Sequence, residues 1–260
     1  MIIGGAFHIQ DPASPARTVR MTSSSTSPAS PSPLVLQGFT PPLALRDFKL
    51  AAFDMDSTLI SIECIDEIAA AAGRKAEVAA ITEAAMRGEI TDFKDSLRRR
   101  LALLKGVGED ALAQVLRERL AFNPGARELC AALKAAGLKL VLVSGGFTYF
   151  TRFVAAELGM DFVRSNELEI VDGRLTGGLV MQDWGDLCDG EEKRRMMLAC
   201  AGQIGATPGQ CIAVGDGAND LPMMGAAGLS VAYHAKPKVR EQAMVAINDG
   251  GLDRLLDVLR

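Results

Sequence analysis

The chain sets short, mainly apolar runs against longer stretches in which apolar residues recur every three or four positions. Phe48–Phe53, Leu138–Val143 and Cys211–Val214 are runs of the first kind. They are too short for buried helices and read as strands covered on both faces. Leu229–Ala232 and Val245–Ile247 read as further short strands. Between the first two strands, Ile65, Ile68 and Ala69, then Phe93, Leu97, Leu101 and Leu104, recur at helical spacing, with Gly73, Gly88 and Gly106 as punctuation. Asn123-Pro124-Gly125 breaks the chain, and helices are predicted over Ala126–Ala135, Thr148–Leu158, Glu192–Gly202 and Leu252–Leu259. Leu168–Val180 reads as a hairpin turning at Asp172-Gly173. Strands alternating with helices predict an α/β fold: a doubly wound, mainly parallel sheet, with a helical cap inserted between the first two core strands. The division that follows is a leader over 1–42, a core over 43–61 and 123–260, and a cap over 62–122, with hinges at Ser57–Ser61 and Phe122–Gly125.

The first strand ends in Asp54-Met55-Asp56-Ser57-Thr58. Side chains alternate along a strand, so Asp54 and Asp56 share one side. Two carboxylates there can share a hard cation, or divide the roles of nucleophile and proton carrier. An acidic turn with Ser and Thr capping the next helix would use the same residues. Two other strands also end in polar and glycine residues: Ser144-Gly145-Gly146, and Asp216-Gly217-Ala218-Asn219-Asp220. In an open parallel sheet the carboxyl ends of the strands lie along one edge, so the three groups can meet. Ser144 offers a hydroxyl, and the glycines let backbone N–H groups approach an anion. Asp216 adds a third carboxylate. Such a cluster repels itself, and oxygen ligands with room for water and phosphate suit Mg²⁺ better than zinc.

Composition narrows the classes. The 260 residues are 48% hydrophobic, enough for one sizeable core and a smaller domain. A net charge of -4 and 5% aromatic content give no field or stacking surface for nucleic acid, and no attraction to an anionic membrane. No apolar run reaches the roughly 18 residues of a spanning helix. The five cysteines, Cys64, Cys130, Cys188, Cys200 and Cys211, form no C-x-x-C pair and mostly sit among apolar residues, as reduced core cysteines of a cytoplasmic protein do. Thr22–Pro33 contains only Ser, Thr, Pro and Ala, which predicts a disordered or extended leader, with Met21 as an alternative start. Arg17, Arg20 and the Ser-rich tract faintly resemble an organellar transit peptide, but no amphipathic helix accompanies them.

Together the motifs resemble the haloacid dehalogenase superfamily. Asp54-Met55-Asp56-Ser57-Thr58-Leu59 looks like its D-x-D-x-T signature, Ser144 its second motif, and Gly215–Asp220 its fourth. The best match to its lysine is Lys193, with Arg194 and Arg195 adjacent. Within the superfamily, Glu63, the segment Phe93–Arg100, Val143–Phe147 and Ala235-Lys236-Pro237 resemble the phosphoserine phosphatases. Met181–Glu191, with Trp184 and Cys188, departs from that family's pattern.

The resemblance implies a Mg²⁺-dependent phosphatase that hydrolyses phosphoserine to serine through an aspartyl-phosphate, the last step of serine synthesis. It implies Asp54 as nucleophile and Asp56 as general acid and base. Asp54, the Asp56 backbone carbonyl and Asp216 would hold the metal. Ser144, Gly145 and Lys193 would bind phosphate, with Asn219 and Asp220 supporting the lysine or the metal's waters. Glu63 would pair with the substrate ammonium and Arg100 with its carboxylate, under an apolar lid of Phe93 and Met86. The implied partner is a small molecule, with no nucleic acid or membrane, and the protein a monomer or homodimer. A phosphatase or phosphotransferase for another phosphometabolite, or an inactive binding module, would share most of these residues.

Overall fold

The computed structural model describes residues 34–260, apart from Gly88 and the side chain of Met86. Its centre is strand β2, Leu50–Phe53, buried along its whole length. It pairs in parallel with β3 (Lys139–Phe147) on one side and β7 (Cys211–Gly215) on the other. Outward from β3 lies β4 (Phe162–Asn166); outward from β7 lie β8 (Leu229–Tyr233) and β9 (Val245–Ile247), all parallel. The chain therefore winds one way through β3 and β4, returns to the centre, and winds the other way. The point of reversal is β2, where an open α/β sheet forms its ligand crevice.

Alternation along β2 sends Ala51 and Phe53 into one core and Leu50 and Ala52 into the other. The first core takes Leu129, Cys130 and Leu133 of helix α5 (Ala126–Ala135) and Phe150 and Val154 of α6 (Thr148–Leu158). The second takes Met196, Met197, Cys200 and Ala201 of α7 (Gly190–Gln203), with Met223 and Met224 of α8 (Leu221–Ala226) and Val239 of α9 (Pro237–Gln242). Burial on both faces is why the strands read as continuous apolar runs.

Between β2 and β3 run four helices: α1 (Cys64–Ala71), α2 (Lys75–Met86), α3 (Phe93–Leu103) and α4 (Asp110–Glu118). Arg74 ties them together, donating to the carbonyls of Leu103 and Lys105 at the end of α3. The two connections to the sheet pair with each other: Ser61 N donates to Ala121 O (2.9 Å) and Asn123 N to Leu59 O (2.9 Å). The hairpin of β5 (Leu168–Val171) and β6 (Arg174–Leu179) packs against α3. Asp172 and Gly173 at its turn both have positive φ, as a two-residue hairpin turn requires.

Four features correct the sequence reading. Leu34–Leu36, assigned to the leader, forms the edge strand β1, antiparallel to β9; the rest of the leader through Pro33 lies outside the described residues. A short apolar segment satisfies the open edge of β9, which the proline-rich composition around it concealed. Strand β3 does not stop at Ser144 but runs on to Phe147, its pairing with β4 shifting register after Val143. Strand β4, with no run of its own, was not foreseen. The C-terminal helix is a 3₁₀ segment, Leu252–Asp257. Among the described residues, no helix is long and apolar enough to cross a membrane, and all five cysteines are free and buried.

Candidate active site

Asp54 leaves the end of β2 with extended backbone, and its Oδ1 accepts the Met55 N–H at 2.7 Å. The same oxygen lies 2.8 Å from Lys193 Nζ. Lys193 projects from α7, is wholly buried, and donates to Asp220 Oδ1 at 2.7 Å. Asp220 Oδ2 accepts from the backbone N–H groups of Asp216 (3.1 Å) and Gly217 (3.0 Å), which fixes the turn after β7. Gly215 is required there: a Cβ on it would lie 2.3 Å from Asp220 Cγ. The Thr58 hydroxyl reaches Asp216 Oδ1 at 3.3 Å, and the Asn123 amide holds the Thr58 carbonyl at 2.8 Å. Thus β2, β7, α7 and the connection to the helices converge on one cluster.

The carboxylates load this cluster with negative charge. Asp54 is held well above the ordinary carboxylate range, first by burial, then by Asp220 and Asp216, with Lys193 opposing. Burial, then Asp220 and Glu63, push Asp216 up to about 7. Burial, then Glu63, push Asp56 up to about 7, while Cys64 and Lys193 act the other way. Burial disfavours the Lys193 charge, yet Asp220 and Asp54 outweigh it and keep the ammonium protonated. Single oxygens of Asp54, Asp216 and Asp220 lie within 4.8 Å of one another. Asp220 is engaged at both oxygens. Both contacts of Asp54 fall on Oδ1, leaving Oδ2 without a protein partner among the described residues. Asp54 and Asp216 are therefore the side chains able to take a divalent cation, whose charge would lower their raised pKa values. This donor set, oxygen only and partly open, fits a hard cation.

On the other side, Ser144 is buried at the end of the regular part of β3, and its Oγ accepts the Gly146 N–H at 2.9 Å, leaving its proton to donate outward. The two glycines permit close approach: a Cβ on Gly146 would lie 3.1 Å from Ser144 Oγ and 3.2 Å from Asp56 Oδ2, and one on Gly145 would lie 3.2 Å from Phe93 Cζ. Asp56, Ser144 and the Phe93 ring thus border one small volume. Asp56 Oδ1 is buried with no hydrogen-bond partner among the described residues.

The site thus gathers hydroxyl, backbone N–H and ammonium donors (Ser144, Gly145, Lys193) with the Asp54 carboxylate and a second carboxyl, Asp56, pushed up to about 7. It is equipped for displacement at phosphorus by a carboxylate with proton transfer. A family model for haloacid dehalogenase-like hydrolases matches residues 51–225. The chain belongs to that family.

Within this hydrolase family the similarities are specific. The chain is 69% identical over 227 residues to a phosphoserine phosphatase of a Polaromonas species, covering 87% of this chain and 96% of the relative. A solved structure of a probable phosphoserine phosphatase from Vibrio cholerae is 47% identical, with a TM-score of 0.72, over 84% of this chain and 65% of that one. A substrate-bound phosphoserine phosphatase structure is 36% identical, with a TM-score of 0.75, over 82% of this chain and 99% of that one.

The remaining predicted residues divide into those at the cluster and those apart from it. Glu63 caps α1 and is fixed by the Ser57 hydroxyl (2.7 Å), itself in a turn with φ of 57°. Arg194 pairs with Glu191 at the surface, and Arg195 with Glu192 and the Trp184 carbonyl, so neither competes with Lys193. Asn219 makes no hydrogen bond to Lys193 among the described residues; Asp220 anchors the lysine together with Asp54. Arg100 is half-buried on α3 with no hydrogen bond or ion pair among the described residues, its Nε shut off from solvent. Met86 ends α2, and its side chain lies outside the described residues.

The structure also adds residues. Asn166, at the end of β4, donates to Gly145 O (2.7 Å) and accepts from Cys188 N (2.8 Å), clamping the Ser144 loop to the segment that leads into α7. Asp189 caps α7 through the Glu192 N–H (2.9 Å) and so aims Lys193. Both belong to stretches that sequence periodicity could not assign. The divergent Met181–Glu191 segment buries Leu187 and Cys188 beneath the site. Burial pushes the Cys188 thiol up to about 12, which keeps it inert.

Proposed function

We propose that this protein is a Mg²⁺-dependent phosphoserine phosphatase, acting on a small molecule to complete serine synthesis. The observation that carries the reading is the buried Lys193 joined to both Asp54 and Asp220, beside a second carboxyl, Asp56, that titrates near 7. Asp54 Oδ2 attacks phosphorus; the new P–O bond forms as the bond to the serine oxygen breaks. Asp56 delivers its proton to that leaving oxygen. The same carboxylate then takes a proton from the water that attacks the aspartyl-phosphate, releasing phosphate and restoring Asp54. Ser144 Oγ–H, the Gly145 N–H and the Lys193 ammonium hold the phosphoryl oxygens and stabilise charge spreading over them in the transition state. Mg²⁺, held by Asp54, the Asp56 backbone carbonyl and Asp216, supplies neutralisation of the remaining phosphoryl charge when bound.

We read residues 62–122 as a cap over this site, closing on Phe93 and Met86 and opening at the two paired connections. Glu63 takes the ammonium of the substrate and Arg100 its carboxylate. Asn219 lies at the rim in a supporting role. All assigned residues come from one chain, so a monomer and a homodimer serve equally. Five buried thiols suit the reducing cytoplasm.

The test is phosphate release from O-phospho-L-serine with Mg²⁺ and with chelator, for the wild type and Asp54→Asn. Mg²⁺-dependent release that is lost in the variant, and that exceeds release from phosphothreonine and sugar phosphates, is expected. Brisk, Asp54-dependent release from another monoester instead would keep the chemistry and discard the substrate. No release from any monoester would discard the enzyme.

A further inference from the structure

Arg100 and Asp66 each carry a stranded polar atom. Arg100 lies two helical turns after Phe93, on the same face of α3, and the Phe93 ring sits against Gly145. Arg100 therefore lies on the face of α3 that carries Phe93, and its Nε is buried with no hydrogen-bond partner among the described residues. Asp66 lies in the first turn of α1, one turn after Glu63 and on the same face. Its Oδ1 is likewise buried without a partner. The Ser57 hydroxyl holds Glu63 at Oε1, and Glu63 makes no hydrogen bond or ion pair with Arg100 among the described residues. The two helices pack against each other, so an unmet donor and an unmet acceptor of opposite charge face a shared interior. Burial raises the Asp66 pKa, and the Arg100 charge, then Lys75, pull it back down, so the carboxylate already feels the guanidinium. A buried donor or acceptor left unpaired is costly, and one pairing relieves both.

We propose that Asp66 is a positioning residue for Arg100: in the substrate-bound state it accepts the Nε–H, directly or through one water, and so presents both terminal nitrogens end-on to the substrate carboxylate. This rests on the phosphoserine reading and deepens it. A guanidinium can meet a carboxylate along its side, through Nε and one terminal nitrogen, or end-on through the two terminal nitrogens. Occupying Nε with Asp66 removes the first mode and fixes the angle of the second. A shift of α3 towards α1 as the cap closes would make the contact, so substrate binding and arginine alignment would be one event. Asp66 touches neither substrate nor reacting atoms in this role.

The experiment compares Asp66→Ala and Asp66→Asn in the wild-type and Arg100→Ala backgrounds, with phosphoserine and an aryl phosphate lacking a carboxylate. Wild-type discrimination is measured first; a wild type that hydrolyses the aryl phosphate but does not favour phosphoserine overturns the substrate reading, and this inference with it. Given that preference, Asp66→Ala should raise KM for phosphoserine about tenfold with kcat nearly kept, the scale of one lost charge-assisted hydrogen bond. It should change aryl phosphate turnover far less. Asp66→Asn retains an acceptor oxygen and should restore KM to within about threefold of wild type. In the Arg100→Ala background, Asp66→Ala should add nothing further. Equal loss on both substrates, a KM rise that persists undiminished without Arg100, or an unchanged KM would each overturn the role. Asp66→Asn keeps the test informative should the alanine variant fail to fold.

Discussion

Replacing Lys193 with methionine probes the electrostatic centre of the site. The aliphatic stem is retained and the ammonium is lost, so the space is largely refilled while Asp54 and Asp220 are left facing each other. The wild-type ammonium lies 2.8 Å from one carboxylate and 2.7 Å from the other, with no solvent exposure. Removing one partner of a buried ion pair typically costs about 3–5 kcal/mol, because the other charge stays buried and uncompensated. For a chain of this size each kcal/mol lowers Tm by roughly 2–4 °C, which places the expected loss at about 10 °C. The loss should depend on pH. Without Lys193 the carboxyl of Asp54, already raised, rises further, so the folded state binds a proton that the unfolded state has released. Stability then falls as pH climbs from the unfolded value of 3.8 through the folded one. Thermal unfolding with chelator present should show a larger deficit at about pH 8 than at about pH 5.5. Adding Asp54→Asn removes the repulsion and should recover part of the deficit, a non-additive coupling. A variant as stable as wild type at pH 8, or equally destabilised at both values, would refute the reasoning. Turnover should fall about 10²–10³-fold, the scale of losing one transition-state donor.

Arg100→Ala should lower kcat/KM for phosphoserine about 10–100-fold, from loss of a charge-assisted pair, and that for an aryl phosphate much less; equal losses would remove its specificity role. Asp56 must be protonated to assist the leaving group, and its carboxyl sits at about 7, so the rate of phosphoenzyme formation in rapid-quench experiments should decline as pH rises through that value; a flat profile would exclude it as the acid. Asp216, also at about 7, is destabilising when ionised without a cation, so the gain in Tm on adding Mg²⁺ to chelated protein should be larger at pH 8 than at pH 6, as differential scanning fluorimetry would read. Asp186 joins Lys94 (3.2 Å) and Arg98 of α3 to the segment ahead of α7, so Asp186→Asn should loosen the cap, raising KM a few-fold and flattening its dependence on added salt.

Legibility in the sequence followed the physics of each element. Helices α5 and α6 matched their predicted limits, because each begins at a glycine or strand boundary and ends just before a glycine that adopts positive φ. The strands β2 and β7 were legible because burial on both faces leaves them uniformly apolar. Strand β4 was not: Phe162–Asn166 carries Arg164 and Ser165, and it is an edge strand held by pairing to β3 rather than by its own pattern. Asn166, which braces Gly145 from that strand, was hidden for the same reason. Asp54, Asp56, Ser144 and Asp216 could be found because each follows an apolar run. Asp66 and Asp189 could not. On a helix face or at a cap, an acidic residue looks like any solvated charge until the packing partner is known.

The arrangement of charge explains why these particular residues occur together. Asp220 is taken up by Lys193 and by the turn it closes, so it adds little free negative potential. Asp54, Asp56, Asp216 and Glu63 remain around a volume that must admit a phosphate dianion, and three of these carboxyls are raised by burial and mutual repulsion. Lys193 alone cannot offset them, since two carboxylates already share its charge. Under the proposed function, phosphate binding should therefore depend on a cation at Asp54 and Asp216. The residue set also separates the roles of two neighbouring aspartates. Asp54 is gripped at Oδ1 by an ammonium and a backbone N–H, and under the proposed function its other oxygen is the one offered to phosphorus. Asp56, just before the turn at Ser57 and without a direct contact to the lysine, is pushed up to about 7 by burial and Glu63. Two identical side chains two positions apart acquire different chemistry because the sheet end, the helix α7 and the first turn of the cap meet them differently.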